Sequence, residues 1–222
     1  MPERRRPSTK SRRPARTLLT AVERDAAACR RCDLWKRGTQ TVFGAGPPDA
    51  TIMFVGEQPG DAEDREGEPF VGPAGHLLRE ALAEAGIDAD TVYLTNAVKH
   101  FKWRERGKRR IHERPNRVEV LACRLWLDTE IAIVKPRVLV ALGATAASQI
   151  LPEARVMRDR AKPFTSPLAE IVTVTVHPSS ILRAPDSQSR AEARRQFVKD
   201  LRKIARMARQ PRGRSATADE NG

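Results

Sequence analysis

Four short apolar runs, separated by stretches in which apolar residues return every three or four positions, restrict this 222-residue chain more than any other feature. Ile52 to Val55, "TVYLTN" (91–96), "RVLVALG" (137–143) and "IVTVTVH" (171–177) are rich in β-branched and aliphatic residues and too short for helices, so they are predicted strands. Between them Leu77, Leu78, Ala81, Leu82 and Ala85 recur at helical spacing until Gly86 stops the pattern. Val118 to Val134 reads as a largely buried helix and 144–151 as a short one. Phe197, Leu201, Ile204 and Ala208 put an apolar stripe under the basic face of a last helix. Strands that alternate with helices predict an α/β fold, a mostly parallel sheet covered on both faces.

In such a sheet ligands bind outside the carboxyl ends of the strands. Three turn-rich segments converge there: "GEQPGDAED" after the first strand, "NAVKHFKW" through "KRRIH" after the second, and "HPSSILR" after the fourth. The stretch "GKRRIHERP" (107–115) has no helical or strand period and is predicted to be a loop.

The net charge of +13 matters through its placement. Residues 1–16 carry +6, residues 99–114 carry +6 and residues 188–214 carry +8, so the rest of the chain sums to −7. An excess gathered in three places implies a polyanionic partner, nucleic acid above all. Residues 1–16 lack an apolar anchor and are predicted to form a disordered basic arm; 17–209 form one domain, and 210–222 a disordered tail. No apolar run is long enough to span a membrane and no secretory segment opens the chain, which predicts a cytoplasmic protein with no membrane partner.

Several residues at the predicted edge can carry chemistry, each with a plainer alternative. Gly56, Pro59 and Gly60 let backbone N–H groups approach a ligand, or form an ordinary turn. Glu57 is placed to act as a base, and Phe70 is either a stacking platform or a core residue. Asn96 can pair with a nucleobase edge in both directions, or cap a turn. His177 can donate to a carbonyl that gains charge while Ser179 and Arg183 hold phosphates, or it caps a strand. Cys29, Cys32 and Cys123 are too few for a disulfide framework and offer three soft metal ligands, with His100 a candidate fourth. That set suits zinc or an iron–sulfur centre, and Cys29-Arg-Arg-Cys32 alone also fits a redox pair.

"GEQPGDAED", "EPFVGPAG", "LTNAVKH" and "VHPSSILR" resemble, in order and spacing over about residues 29–205, the iron–sulfur uracil-DNA glycosylases. Gln58 together with "GKRRIH" resembles their X-type branch (UdgX), related to family 4, whose members become covalently joined to DNA after removing uracil. The resemblance implies a three-layer αβα fold around a four-stranded parallel sheet and a 4Fe-4S cluster on Cys29, Cys32, His100 and Cys123, with His100 where family 4 has Cys. It implies that Phe70 stacks on an extruded uracil and Asn96 reads it. Gly56, Gln58, Pro59, Gly60 and Asp61 line the pocket, and His177 stabilises charge on O2. Lys108, Arg109, Arg110, Ser179 and Arg183 would hold DNA.

An extruded base favours single strands, since no duplex need be opened. His112 is then expected to stand where a hydrolytic enzyme holds water and to bond to C1′ of the abasic sugar, with Glu57 as its partner. Lys108, Arg109 and Arg110 are expected to keep its imidazole neutral, Glu113 to oppose them. The alternatives are a hydrolytic, turning-over uracil-DNA glycosylase and a non-catalytic, metal-stapled nucleic-acid-binding module. The expected partner is uracil-containing DNA and the expected state a nucleoid-associated monomer.

Overall fold

A computed structural model describes residues 9–210. Helix α1 (Thr9–Ala27) is followed by β1 (Ile52–Gly56), α2 (Asp61–Glu66), α3 (Pro73–Glu84) and β2 (Tyr93–Asn96). Then come β3 (Trp103–Arg106), β4 (Arg109–His112), α4 (Arg117–Val134), β5 (Val138–Leu142) and α5 (Ala144–Ile150). The chain continues with β6 (Phe164–Ser166), β7 (Ala169–Thr175), α6 (Pro178–Leu182) and α7 (Ser187–Arg209). The main sheet has the order β2-β1-β5-β7-β6; its first four strands are parallel, as the sequence predicts, and β6 adds a short antiparallel edge.

Alternation along each strand explains the three layers. Ile52 and Phe54 of β1, Leu94 of β2 and Val138, Val140 and Leu142 of β5 face a core completed by α3, α6 and α7. Met53 and Val55, Tyr93, and Leu139 and Ala141 face the opposite core under α4 and α5, with Leu19 of α1 packed against it. Successive side chains of a strand point to opposite faces, so a strand buried on both needs the unbroken apolar run that these have. Each Leu or Phe removed from water in this way stabilises the fold by about 1.5–3 kcal/mol.

The helices start where their caps dictate. Asn116 accepts from Glu119 N at 2.9 Å while the Glu119 carboxylate accepts from Asn116 N at 2.6 Å, a reciprocal box that begins α4. Asp186 accepts from Ser189 N at 2.7 Å at the start of α7, and Pro73 opens α3 where a missing N–H costs nothing. Among the described residues no helix is long and apolar enough to cross a membrane.

Three expectations change. The basic stretch predicted as a loop is a β-hairpin: Trp103 pairs with His112 and Arg106 with Arg109 around the two-residue turn Gly107–Lys108. Gly107 has φ of 61°, the conformation such a turn demands of its first residue. Helix α1 begins at Thr9 and runs through Pro14, inside the expected arm of residues 1–16. The rest of that arm (1–8), and the expected tail beyond residue 210, lie outside the described residues. Strand β6, only three half-buried or exposed residues long, had no apolar run to announce it.

Candidate active site at the carboxyl edge of the sheet

The register of β1 and β2 places Gly56 beside Asn96 at the strand tips. A Cβ on Gly56 would lie 2.3 Å from Asn96 Oδ1 and 2.8 Å from Phe70 Cζ, so glycine there lets an amide and an aromatic ring close in on the same point. Phe70 is buried and holds φ at 59°, a left-handed conformation that costs an L-residue about 1–3 kcal/mol and tends to mark ligand sites. Its ring and that of His177 are 6.3 Å apart and inclined by 26°. Gly75 in α3 permits this backbone, since a Cβ there would meet Phe70 O at 1.8 Å.

One residue absent from the sequence-level assignment ties the two walls of this recess. Glu63, buried in α2, accepts from Gly60 N at 3.0 Å and from Gly72 N at 2.9 Å, linking "GEQPG" to "FVGPAG". A carboxylate three residues into a helix that follows a glycine turn was the available signal.

His177 is the residue before α6, and its Nδ1 accepts from Ser179 N at 3.2 Å and lies 2.8 Å from Ser179 Oγ. Burial pushes its pKa down to about 4, helped by the Arg183 and His112 charges. A neutral ring whose Nδ1 accepts carries its proton on Nε2, so His177 presents a donor to the recess. Ser179 is therefore spent on orienting His177.

A carboxylate–imidazole pair forms where Glu57, the residue after β1, meets His112 at the end of β4. His112 Nε2 is 3.4 Å from Glu57 Oε1, and Thr145 donates a short hydrogen bond to Glu57 Oε2, with Arg114 Nε 3.9 Å from the same oxygen. The His112 side chain is 49% exposed, half in solvent and half against Glu57 and the Phe101 ring 6.1 Å away. A cleft of about 480 Å³ is lined in part by Ser148 and by Arg114 and Thr145, the two residues that contact Glu57 Oε2. The His112 pKa lies below its ordinary value because of desolvation, with Arg183 adding to the effect and Glu57 opposing it. The neighbours expected to depress it, Lys108, Arg109 and Arg110, are not the cause, and the opposing carboxylate is Glu57, not Glu113. Arg110, two residues away, shares the His112 face of β4, but its charge is met by Asp61 and Asp64.

The hairpin reaches this position through polar straps. Gln58 Nε2 donates to Lys102 O and Glu113 O, both at 3.1 Å, and Gln58 Oε1 accepts from Lys102 N at 3.2 Å. Lys102 and Glu113 close the hairpin's base, so one amide clamps both strands. Arg110 turns inward: it donates to Asp61 through a short bond and to Asp64 Oδ2 at 2.6 Å, and stacks over Phe101 and Trp103 at 5.4 Å each. Asp64 is fully buried and also accepts from Thr39. Arg110 and Asp61, expected to hold DNA and to line the pocket, are thus bound to each other, whereas Lys108 and Arg109 stand exposed at the hairpin tip.

Cys29, Cys32 and Cys123 are free thiols close enough to perturb one another's ionisation. Trp126 Nε1 donates to Cys29 Sγ at 3.3 Å and Lys99 N donates to Cys123 Sγ at 3.2 Å. N–H donors aimed at sulfur suit thiolate ligands, so the donor set fits a sulfur-bound centre. Burial raises the Cys123 pKa to about 11 and that of Cys32 as well, so deprotonation needs a cation. His100 is buried with Nε2 3.1 Å from Thr41 Oγ1, and among the described residues no group of three or more His, Cys, Asp or Glu is arranged around a metal position.

Residues 43–202 match the family model described as the uracil DNA glycosylase superfamily. A protein of Sulfurisphaera tokodaii named "Type-4 uracil-DNA glycosylase" is 34% identical over 203 residues, covering 87% of this chain and 86% of its own. One of the same name from Thermotoga maritima is 38% identical, covering 84% and 92%. A "Type-5 uracil-DNA glycosylase" of Pyrobaculum aerophilum is 31% identical over 55% of this chain and 57% of its own.

Proposed function

Because the chain belongs to the uracil DNA glycosylase superfamily, we propose that it excises uracil from DNA and is left covalently bound to the abasic C1′ through His112, in the manner of the X-type branch. The observation that carries this reading is the placement of His112 Nε2 3.4 Å from Glu57 Oε1, on a hairpin clamped by Gln58. The substrate is uracil-containing DNA, single strands preferred because the base is already unstacked.

An extruded uracil enters between Phe70 and His177, where the Asn96 amide meets its pairing edge. As the glycosidic bond breaks, its electron pair leaves with the base, and the Nε2–H of His177 stabilises the charge that develops on O2. C1′ becomes cationic. A lone pair of the neutral His112 ring then forms the C1′–N bond in place of water, and the resulting imidazolium sheds its other N–H proton to solvent. The Glu57 carboxylate stabilises the cationic sugar and holds the ring beside it.

Cys29, Cys32 and Cys123, with His100 as the fourth ligand, would hold a 4Fe-4S cluster. Such a group supplies a rigid cross-link beside the DNA-binding edge, and cleavage of a glycosidic bond draws no electrons from it. Iron and acid-labile sulfide in a brown preparation would establish it; zinc in their place would refute it. The protein acts as a monomer wherever the DNA is, in the cytoplasm and on the nucleoid.

The relatives' names favour a second reading, a hydrolytic enzyme that turns over, with water held by Glu57 where His112 now stands. Incubation with single-stranded uracil DNA followed by full denaturation separates the two. A protein–DNA species that survives heat and detergent, and is absent with thymine DNA, supports capture. Free abasic DNA made over many turnovers supports hydrolysis, and untouched DNA leaves only a binding module.

A further inference from the structure

Between β2 and α4 lies a charged pair to which the mechanism assigns no part. Lys99 and Glu130 are 1% and 0% exposed and joined by a short hydrogen bond. The ammonium also donates to Thr95 Oγ1 at 2.6 Å and to Asn96 O at 2.9 Å. Glu130 further accepts from Gly44 N at 2.8 Å, Tyr93 Oη at 3.1 Å and Thr95 Oγ1. All three ammonium protons and both carboxylate oxygens are thereby engaged.

Stability alone does not explain such a pair, because apolar residues of similar volume usually hold a fold as well as a buried ion pair does. Its connections are more informative. The Lys99 ammonium ends on the last two residues of β2, and the second of these is Asn96. The Lys99 backbone N–H ends on Cys123 Sγ. Cys123 and Glu130 are seven residues apart in α4, two turns along one face, so one helix face grips Lys99 at both its main chain and its side chain.

We propose that Lys99 and Glu130 are positioning residues that lock the uracil-reading Asn96 to the thiol-bearing face of α4, so that the sulfur-bound centre fixes where the amide stands. This rests on the glycosylase reading above. The double variant Lys99→Met/Glu130→Met removes both charges at similar volume. Should it not fold, Lys99→Met/Glu130→Gln, which keeps an acceptor for Gly44 N and the Tyr93 hydroxyl, takes its place with the same expectations.

Affinity for single-stranded DNA without uracil is expected to stay within about twofold, since phosphate contacts are untouched, while single-turnover excision of uracil falls about tenfold. In an Asn96→Ala background the double variant should add less than about twofold, because the residue it acts through is already gone. Without any DNA, bound iron should pass to a chelator at least about threefold faster, since the contacts that orient the ligating side chains set metal retention. Unchanged excision in the folded double variant, or a further tenfold loss on top of Asn96→Ala, overturns the action through Asn96. An unchanged rate of iron release overturns the link to the thiols. A wild-type chain that leaves uracil DNA intact sinks the glycosylase reading and this inference with it; an active wild type alongside an indifferent double variant sinks this inference alone.

Discussion

The two sides of the site are built by different physics. The side around Asn96 is steric: Gly56, Asn96, Phe70 and Gly75 approach so closely that one added methyl group at either glycine would overlap its neighbours. The hairpin side is polar: His112 reaches Glu57 because Gln58, Asp61 and Asp64 hold a two-stranded ribbon that is otherwise largely exposed. Close-packed interiors do not deform gradually, whereas an isolated hairpin is marginal and docks only as well as its straps. On the proposed function, recognition is therefore built into the core, while capture is carried on an attachment that can be weakened without touching recognition.

His112→Ala tests that separation most severely. The adduct should disappear altogether, while excision survives with water in the vacated place and free abasic DNA appears on the gel. Stability should stay within about 0.5 kcal/mol, since the side chain is half in solvent. An undiminished adduct would remove His112 from the mechanism. Gly56→Ala is the counterpart on the steric side. Its methyl must displace Asn96 or Phe70, so excision and adduct formation should fall together by about 100-fold, with about 1–3 kcal/mol lost from the unfolding free energy. Loss of adduct alone would mean that the two sides are not distinct.

The same contrast governs what could be read from the chain beforehand. The strands and their tips were legible because apolar runs buried on both faces are hard to mistake, and Gly56, Asn96 and His177 follow from where those runs stop. The hairpin was not, because Trp103 to His112 alternates among basic, acidic and aromatic side chains with no apolar face. Its pairing is fixed by one glycine turn and by carboxylates more than forty residues earlier in the chain. Arg110 shows the limit best: in sequence it is one cation among several, and only the fold reveals that buried Asp64 requires it. Lys99 was likewise counted with the basic cluster, yet its charge lies in the core against Glu130.

Gln58→Ala sharpens the comparison at the straps. It removes three hydrogen bonds at the hairpin's base, each contributing about 1 kcal/mol, so the docked hairpin becomes less populated. The ratio of adduct to free abasic product should drop about tenfold while total uracil release holds; a fall in both would place Gln58 with the recess instead. A smaller effect is expected from pH. The proposed attack needs neutral His112, and a histidine titrating at 6.5 would be half protonated at that pH. Because desolvation holds the His112 pKa lower, the adduct rate at pH 6.5 should stay above half its value at pH 8 and fall to half only in more acidic solution. A twofold loss already at pH 6.5 would show an imidazole released from Glu57 into solvent.

The least effect belongs to the hairpin tip, and it is also the most specific. Lys108 and Arg109 are exposed beyond the straps, whereas Arg110, next along the chain, is committed to Asp61 and Asp64. If the tip only grips phosphates, Lys108→Ala/Arg109→Ala should flatten the dependence of log affinity on log salt by at most about 0.7 per lost contact on a single strand. The adduct yield at saturating DNA and the melting temperature should both stay unchanged. Arg110→Ala removes one cation of the same hairpin yet should behave in the opposite way, because it strands a buried carboxylate: stability falls by about 2–3 kcal/mol and the adduct weakens, with little change in the salt slope. An equal loss of salt slope per removed charge in the two variants would place the Arg110 guanidinium on the DNA, and the polar attachment of the hairpin would then have to rest on Gln58 alone.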